Sequence, residues 1–328
     1  MFAPLKLSSL TIPTPIFSAP LAGITDWPYR QILRKCAPAA PILTEMISCH
    51  SLVANRKKTL KTNNNRNYDD YGAQGLIGAQ LFGAEPAIMA DAAKILEQNG
   101  ASWIDINMGC PVPKVATRAG AGAFLMRDHA LAGRIVAAVA GAVKIPVSVK
   151  TRLGWDNDHL DSADLIRIAA ASGAQFATIH GRTRAAGYAG TADWHQIAKI
   201  VGANHYLPLQ NFPIIFNGDI KSADDIAAVE KLGASGAMLG RALLGNPWLL
   251  GELTNSRPPA RTTSHQSLIL EHLDLTLSYY GARAGVPLFR KHLAWYAAGR
   301  AGAAAFRVKI NTIADANEMR RAVAEFFK

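Results

Sequence analysis

The stretch "WIDINMGCPVPKV" (residues 103–115) decides the fold. Trp103, Ile104, Ile106 and Met108 form a nearly continuous apolar run, and Gly109 and Pro111 then stop regular structure. The run therefore reads as a buried strand ending in a loop, with Cys110 at its exit. Seven further short apolar segments share this character: "IFSAP" (16–20), "ILTEM" (42–46), "IGAQLFG" (77–83), "VSVKTR" (147–152), "FATIHGR" (176–182), "IIFNGD" (214–219) and "GAMLGR" (236–241). Between them lie amphipathic stretches such as "EPAIMADAAKILEQNG" and "SADLIRIAAASG", each with a glycine near its end where a left-handed C-cap belongs. Eight such alternations over about 240 residues predict an α/β fold, a (β/α)8 TIM barrel. Polar and reactive residues at the strand ends then converge on one face.

The residues before "IFSAP" predict a short hairpin closing the barrel bottom. Beyond "GRALLGNPWLL" the pattern changes, and "NSRPPARTTSHQ" (255–266) reads as a polar, proline-containing linker. No strand candidate follows. "SHQSLILEHLDLTLSYYG" sets Leu270, Leu273 and Leu277 on one helical face, "PLFRKHLAWYAAG" is a second helix, and "DANEMRRAVAEFFK" is a last one begun by Asp315. The chain divides accordingly into a barrel over 1–250 and a small helical bundle over 260–328. "KTNNNRNYDD" (61–70) reads as a polar surface loop.

Composition narrows the class. With 49% apolar residues and no apolar run near the ~18 expected of a membrane span, the 328-residue chain reads as a soluble enzyme. No basic start followed by a long apolar core suggests a signal peptide. The three cysteines, Cys36, Cys49 and Cys110, form no pair with metal-ligand or disulfide spacing, so no metal site is expected and a reducing cytoplasm fits. A net charge of +11 favours a polyanionic partner, since neutralised phosphates release counterions; the alternative is a solvated basic surface, because no Lys/Arg run occurs.

The predicted mouth collects Pro20, Gln80, Asn107, Cys110, Lys150, His180, Arg182, Asn217, Asp219, Gly240 and Arg241. "NGD" after the seventh barrel strand and "GR" after the eighth lie where such barrels commonly hold a phosphate: glycines admit backbone N–H groups and Arg241 can pair bidentately. A cofactor ring would then lie over the mouth, and FMN fits. Gln80 could pair with a flavin's pyrimidine edge, and Lys150 could hold the charge that develops near N1 and O2. Lys150 could instead pair with Asp105, and His180 could be a satisfied core histidine. Cys110 reads as a packed thiol, a nucleophile or an acid; two neighbouring prolines replace the base and helix N-terminus that a nucleophile needs.

"APLAGITDWPYR", "GAQLFG", "DINMGCPVPKV", "VKTRLGW", "TIHGRTR", "NGDI" and "GRALLGNPW" resemble the tRNA-dihydrouridine synthases, and "FRKHLAWY" is similar to the helical tail of their bacterial B-type branch. The resemblance covers nearly the whole chain and implies an FMN-bound barrel, a helical tRNA-binding tail and reduction of a D-loop uridine with NADPH (or NADH) as electron donor. It gives Pro20, Leu21 and Ala22 as the loop under the flavin, Gln80, Lys150 and His180 as flavin contacts, and Asn217, Gly218, Asp219, Gly240 and Arg241 as the phosphate end. Cys110 becomes the proton donor, fixed in direction by Gly109 and Pro111, and Asn107 a group orienting the base. Arg182, Arg184, Arg290, Lys291 and Arg307 become candidate tRNA contacts. "VGANHYLPLQNFPIIF" departs from the family by its length before the seventh strand. Two rivals are an FMN-dependent reductase of a free pyrimidine or enone, which the basic tail argues against, and a non-catalytic RNA-binding barrel.

Overall fold

The computed structural model describes residues 2–59, 70–112, 120–203, 212–255 and 264–328. The polar loop at 61–69, residues 204–211 before the seventh barrel strand, linker residues 256–263, and Pro113, Lys114 and Val115 lie outside the described residues.

A hairpin of β1 (Leu5–Lys6) and β2 (Thr11–Ile12) comes first. Eight parallel strands follow: β3 (Ile16–Ser18), β4 (Ile42–Ser48), β5 (Ile77–Phe82), β6 (Trp103–Asn107), β7 (Val147–Arg152), β8 (Phe176–His180), β9 (Ile214–Asn217) and β10 (Gly236–Leu239). Each pairs with the next, and β10 pairs with β3, so the barrel closes and leaves no sheet edge. Each strand lies within or overlaps an apolar run read from the sequence. The outer layer is α1 (Trp27–Cys36), α2 (Cys49–Thr59), α3 (Pro86–Gln98), α4 (His129–Ala140), α5 (Ser162–Ala171), α6 (Trp194–Ala203), α7 (Ala223–Lys231) and α8 (Trp248–Leu253). Side-chain caps start several of them: Asp26 accepts from Tyr29 N–H (3.1 Å), Asp128 from Leu131 N–H (2.8 Å) and Ser222 from Asp225 N–H (3.1 Å).

The hairpin plugs the strands' N-terminal end. Leu5 and Ile12 pack into one cluster with Phe17, Trp103, Phe176, Ile215 and Met238, and the Phe17 ring lies 5.9 Å from those of both Trp103 and Phe176. Trp103 is fully buried because Gly78, its partner in register on β5, offers no side chain; a Cβ there would overlap the indole. With the bottom sealed by aromatics, chemistry is confined to the strands' C-terminal ends.

The tail comprises α9 (His265–Tyr280), α10 (Ala282–Tyr296), α11 (Ala303–Thr312) and α12 (Ala316–Phe326), with Asp315 capping α12 through Glu318 N–H (2.8 Å). Its own apolar cluster includes Leu273, Phe289, Leu293, Phe306 and Met319. Two elements differ from the sequence reading. The second tail helix begins five residues before Pro287, whose exposed ring rides inside it, and α11 was not foreseen. The buried face of α9 is also wider than a leucine stripe. Leu273 is buried, Leu270 and Leu277 only partly, while Ile269, His272 and Thr276 are fully enclosed. The reason is packing on two sides: Leu268 meets Ile32 and Cys36 of α1, and His272 lies between Tyr29 (5.5 Å) and Phe289 of α10 (4.9 Å). None of the described helices is long and apolar enough to cross a membrane.

Gly78→Ala should force the indole of Trp103 off its seat and cost about 1–3 kcal/mol, the usual penalty for overpacking a core. Chemical denaturation of the two proteins measures it; an unchanged midpoint would mean the plug yields freely.

Candidate active site at the barrel mouth

Beyond β9 the chain turns through Gly218 (φ +111°) and Asp219 (φ +56°). A side chain at 218 would press within 2.7 Å of the Ala192 methyl and 2.8 Å of the His180 ring, so the turn requires glycine. Asp219 accepts from Arg182 at both oxygens (3.2 and 2.6 Å), from Arg241 (2.9 Å) and from Ala192 N–H (2.9 Å). Burial alone would raise this carboxyl; the Arg182 and Ala192 hydrogen bonds and the charges of Arg182 and Arg241 outweigh it and hold the group below the usual carboxylate range. A carboxylate so occupied is no phosphate ligand. The Asp219 side chain instead aims two arginines, while the residue itself lines the cleft at the barrel mouth. Among the described residues, no hydrogen bond uses the main-chain N–H of Asp219, Gly240 or Arg241. With the half-exposed Arg241 guanidinium they are a set of available donors on residues lining a cleft of about 430 Å³. Asn217 stands behind it, donating to Met238 C=O (2.8 Å) and stitching β9 to β10.

The floor carries Lys150 and His180. Asp105 accepts from Ser148 (2.6 Å) and Gln80 (2.7 Å), and its charge also reaches Lys150. Burial, and then the charge of Arg152, push the Lys150 ammonium below its ordinary range, against the opposing pull of Asp105. Burial and the cations Lys150, Arg152, Arg182 and Arg241 push His180 down to about 2, so its ring is neutral. Its Nε2 faces the Arg182 guanidinium at 3.4 Å, and an arginine only donates, so the ring's proton resides on Nδ1.

Cys110 sits on a turn fixed by a chain of polar contacts from the barrel interior. Ser148 and the Gln80 amide donate to Asp105; Asn107 donates to the Gln80 carbonyl (2.8 Å); and the Asn107 carbonyl accepts from the N–H groups of Cys110 (2.9 Å) and Gly109 (3.2 Å). Asn107 thereby holds the cysteine turn, a different task from orienting a substrate base, and the Gln80 amide is largely engaged by protein. Arg152, which sequence reading passed over, grips the same turn: it donates to Gly109 C=O (2.8 Å) and to Thr183 and Gly187 C=O (3.0 and 2.7 Å). Its spacing of two from Lys150 along β7, which puts both on one face of the strand, was the available signal. Tyr188 was also missed. It is 61% exposed, with the Arg152 and Arg241 guanidiniums each 5.6 Å from its ring, and as a loop aromatic it gave no periodic signal. Cys110 lines a second cleft, of about 230 Å³, which shares Pro20, Leu21, Lys150, Arg152 and Tyr188 with the first. Ala22 lines only the second.

The five basic residues read as RNA contacts differ in what they touch within the protein. Arg182 is 4% exposed and bonds Asp219, Ala189 C=O (3.0 Å) and Gly190 C=O (2.6 Å), so it is an internal strut. Arg184 lies over the Trp155 ring (4.4 Å), Arg290 donates to Ile313 C=O (2.7 Å) and Lys291 donates to Gly23 C=O. Arg307 alone among the five is exposed, held only to its own helix at Ala303 C=O (3.3 Å).

A family model described as dihydrouridine synthase matches residues 17–328. The chain is 37% identical to the probable tRNA-dihydrouridine synthase of Rickettsia bellii, across 98% of both chains. It is 36% identical to tRNA-dihydrouridine synthase B of Pseudomonas aeruginosa, across 98% of this chain and 95% of that one. Among solved structures, mandelate oxidase with 3,3-difluoro-2-hydroxy-3-phenylpropionic acid has the same fold, with a TM-score of 0.53 at 17% identity, covering 78% of this chain and 75% of that one.

Asn107→Leu should leave the Gly109 and Cys110 N–H groups and the Gln80 carbonyl without partners. The expected loss is about 2–4 kcal/mol by denaturation. A loss below about 0.5 kcal/mol would show that water or a shifted turn replaces the asparagine.

Proposed function

The chain belongs to the dihydrouridine synthase family, and on that premise we propose that it reduces the C5–C6 double bond of a D-loop uridine in tRNA, with FMN bound and NADPH as electron donor. The observation that carries this reading is the sharing of one mouth by a thiol turn and a set of available donors: Cys110 lines a cleft that shares residues with the one lined by Asp219, Gly240 and Arg241. The donor set suits a flavin mononucleotide. Three free main-chain N–H groups and Arg241 would hold its phosphate, and Lys150 and the neutral His180 would meet the ring. Three unpaired cysteines accord with a reducing cytoplasm.

FMN, when bound and reduced, would supply the hydride for C6 of the uracil. Cys110 would give its thiol proton to C5, the S–H bond breaking as the C–H bond forms, so that the charge on C5, C4 and O4 is neutralised. The thiolate left behind faces the charges of Lys150 and Arg152, and solvent returns its proton. Gly109 and Asn107 fix the thiol's direction, and Arg152 ties that turn to the loop after β8. The uridine must leave its stack to reach the cleft, at a cost of a few kcal/mol that phosphate contacts by a chain of net charge +11 offset.

Purified protein should carry FMN, and tRNA from cells lacking the gene should lose dihydrouridine in the D-loop. Cys110→Ala separates the two half-reactions. NADPH should bleach the flavin at near the wild-type rate, while reoxidation of prereduced enzyme by unmodified tRNA should slow roughly 10²–10⁴-fold, the usual worth of a positioned acid. Reoxidation within threefold of wild type, read by anaerobic stopped-flow, would remove Cys110 from the chemistry.

A further inference from the structure

The loop that walls the second cleft, Pro20 to Ala22, continues into Gly23, and this residue is held from two directions. Its N–H donates to the Glu45 carboxylate on β4, and its C=O accepts from the Lys291 ammonium on α10. Gly23 has φ +72° and no side chain, so these two charged groups on its main chain fix where the loop lies. Three residues on, Asp26 divides its carboxylate between the two parts of the molecule: one oxygen caps α1 and the other accepts from the Tyr280 hydroxyl of α9 (2.9 Å). Trp27 stacks on Tyr279 at 5.9 Å, with planes 12° apart. On the barrel side, Arg30 donates to Thr25 C=O (2.9 Å) and Thr25 accepts from Leu21 N–H (3.0 Å).

We infer that the helical tail is a structural part of the cleft: Lys291 and Tyr280 are positioning residues that clasp the Pro20–Asp26 loop and set the wall against which cofactor and substrate lie. Neither side chain lines either cleft. Lys291 acts through the Gly23 peptide and Tyr280 through the Asp26 carboxylate, the two ends of a loop whose displacement moves Leu21 and Ala22, which do line the second cleft. Lys291 thus has an internal task where the sequence suggested an RNA phosphate contact. The inference builds on the flavin reading, but the clasp itself is independent of any ligand.

The test uses the full-length protein with Lys291→Met, Lys291→Arg and Tyr280→Phe. Lys291→Met should raise the FMN dissociation constant about tenfold, the effect expected for losing a charge-assisted hydrogen bond, and change the visible circular dichroism of bound flavin. Lys291→Arg, which can still donate to Gly23 C=O, should return both to within about threefold of wild type, and Tyr280→Phe should fall between. Cys36 and Cys49 are buried and Cys110 is partly exposed, so Cys110 alkylation by iodoacetamide in flavin-free protein reports the cleft's shape without a cofactor. It should speed several-fold in Lys291→Met and recover in Lys291→Arg. Wild-type protein that takes up no FMN would overturn the flavin reading, and the alkylation rates would still judge the clasp. Unchanged alkylation and flavin affinity in Lys291→Met, with a tRNA salt slope reduced by about 0.7–0.9, would overturn the inference and make Lys291 a phosphate contact.

Discussion

The Asp105 carboxylate, buried in the barrel, sets the order of the polar groups that lead from it to the Cys110 turn. Burial raises this acid, and the Ser148 hydroxyl and the Gln80 amide, ahead of the charge of Lys150, pull it back. Once Gln80 points its NH₂ group at Asp105, its carbonyl must face the opposite way. Asn107 then has only one orientation that serves both Gln80 and the Cys110 turn. The influence of a single buried acid thereby propagates through two amides to the turn that carries the thiol. Leaving any link unpaired in so dry a setting would cost more than the bond itself contributes.

The second half of the mouth is organised by the opposite sign. Lys150, Arg152, Arg182 and Arg241 converge on His180, and Asp219 is the acid that pairs two of them. Burial, and then this surplus of positive charge, keeps the imidazole neutral, and the same charge favours anions in the cleft. Burial, and then the charge of Arg152, also lower the Lys150 ammonium, while Asp105 pulls it the other way.

The barrel was legible because its strands are short apolar runs closed by glycine and proline, a pattern local in sequence. So was the set of residues at the mouth, since barrel topology sends every strand end to one face. Their pairings were not legible. Arg182 and Asp219 are 37 residues apart and Lys291 and Gly23 are 268 apart, so nothing in either neighbourhood distinguishes a strut from a solvated charge. Asn107 and Gln80 looked like ligand contacts because amides at strand ends often are; only the contact chain from Asp105 shows how much of each is consumed. The extra tail helix was hidden by the short, glycine-flanked, alanine-rich stretch that forms it.

The Lys291 to Gly23 bond also has a consequence in time. A ribosome makes the Gly23 loop 268 residues before the lysine that holds it, an interval of about 10–50 s at ordinary elongation rates. During that interval the barrel can pair its strands from β3 onward while one wall of its mouth still lacks its outer support. A ligand entering the mouth before α10 is made would meet a Gly23 loop held on one side only, by Glu45.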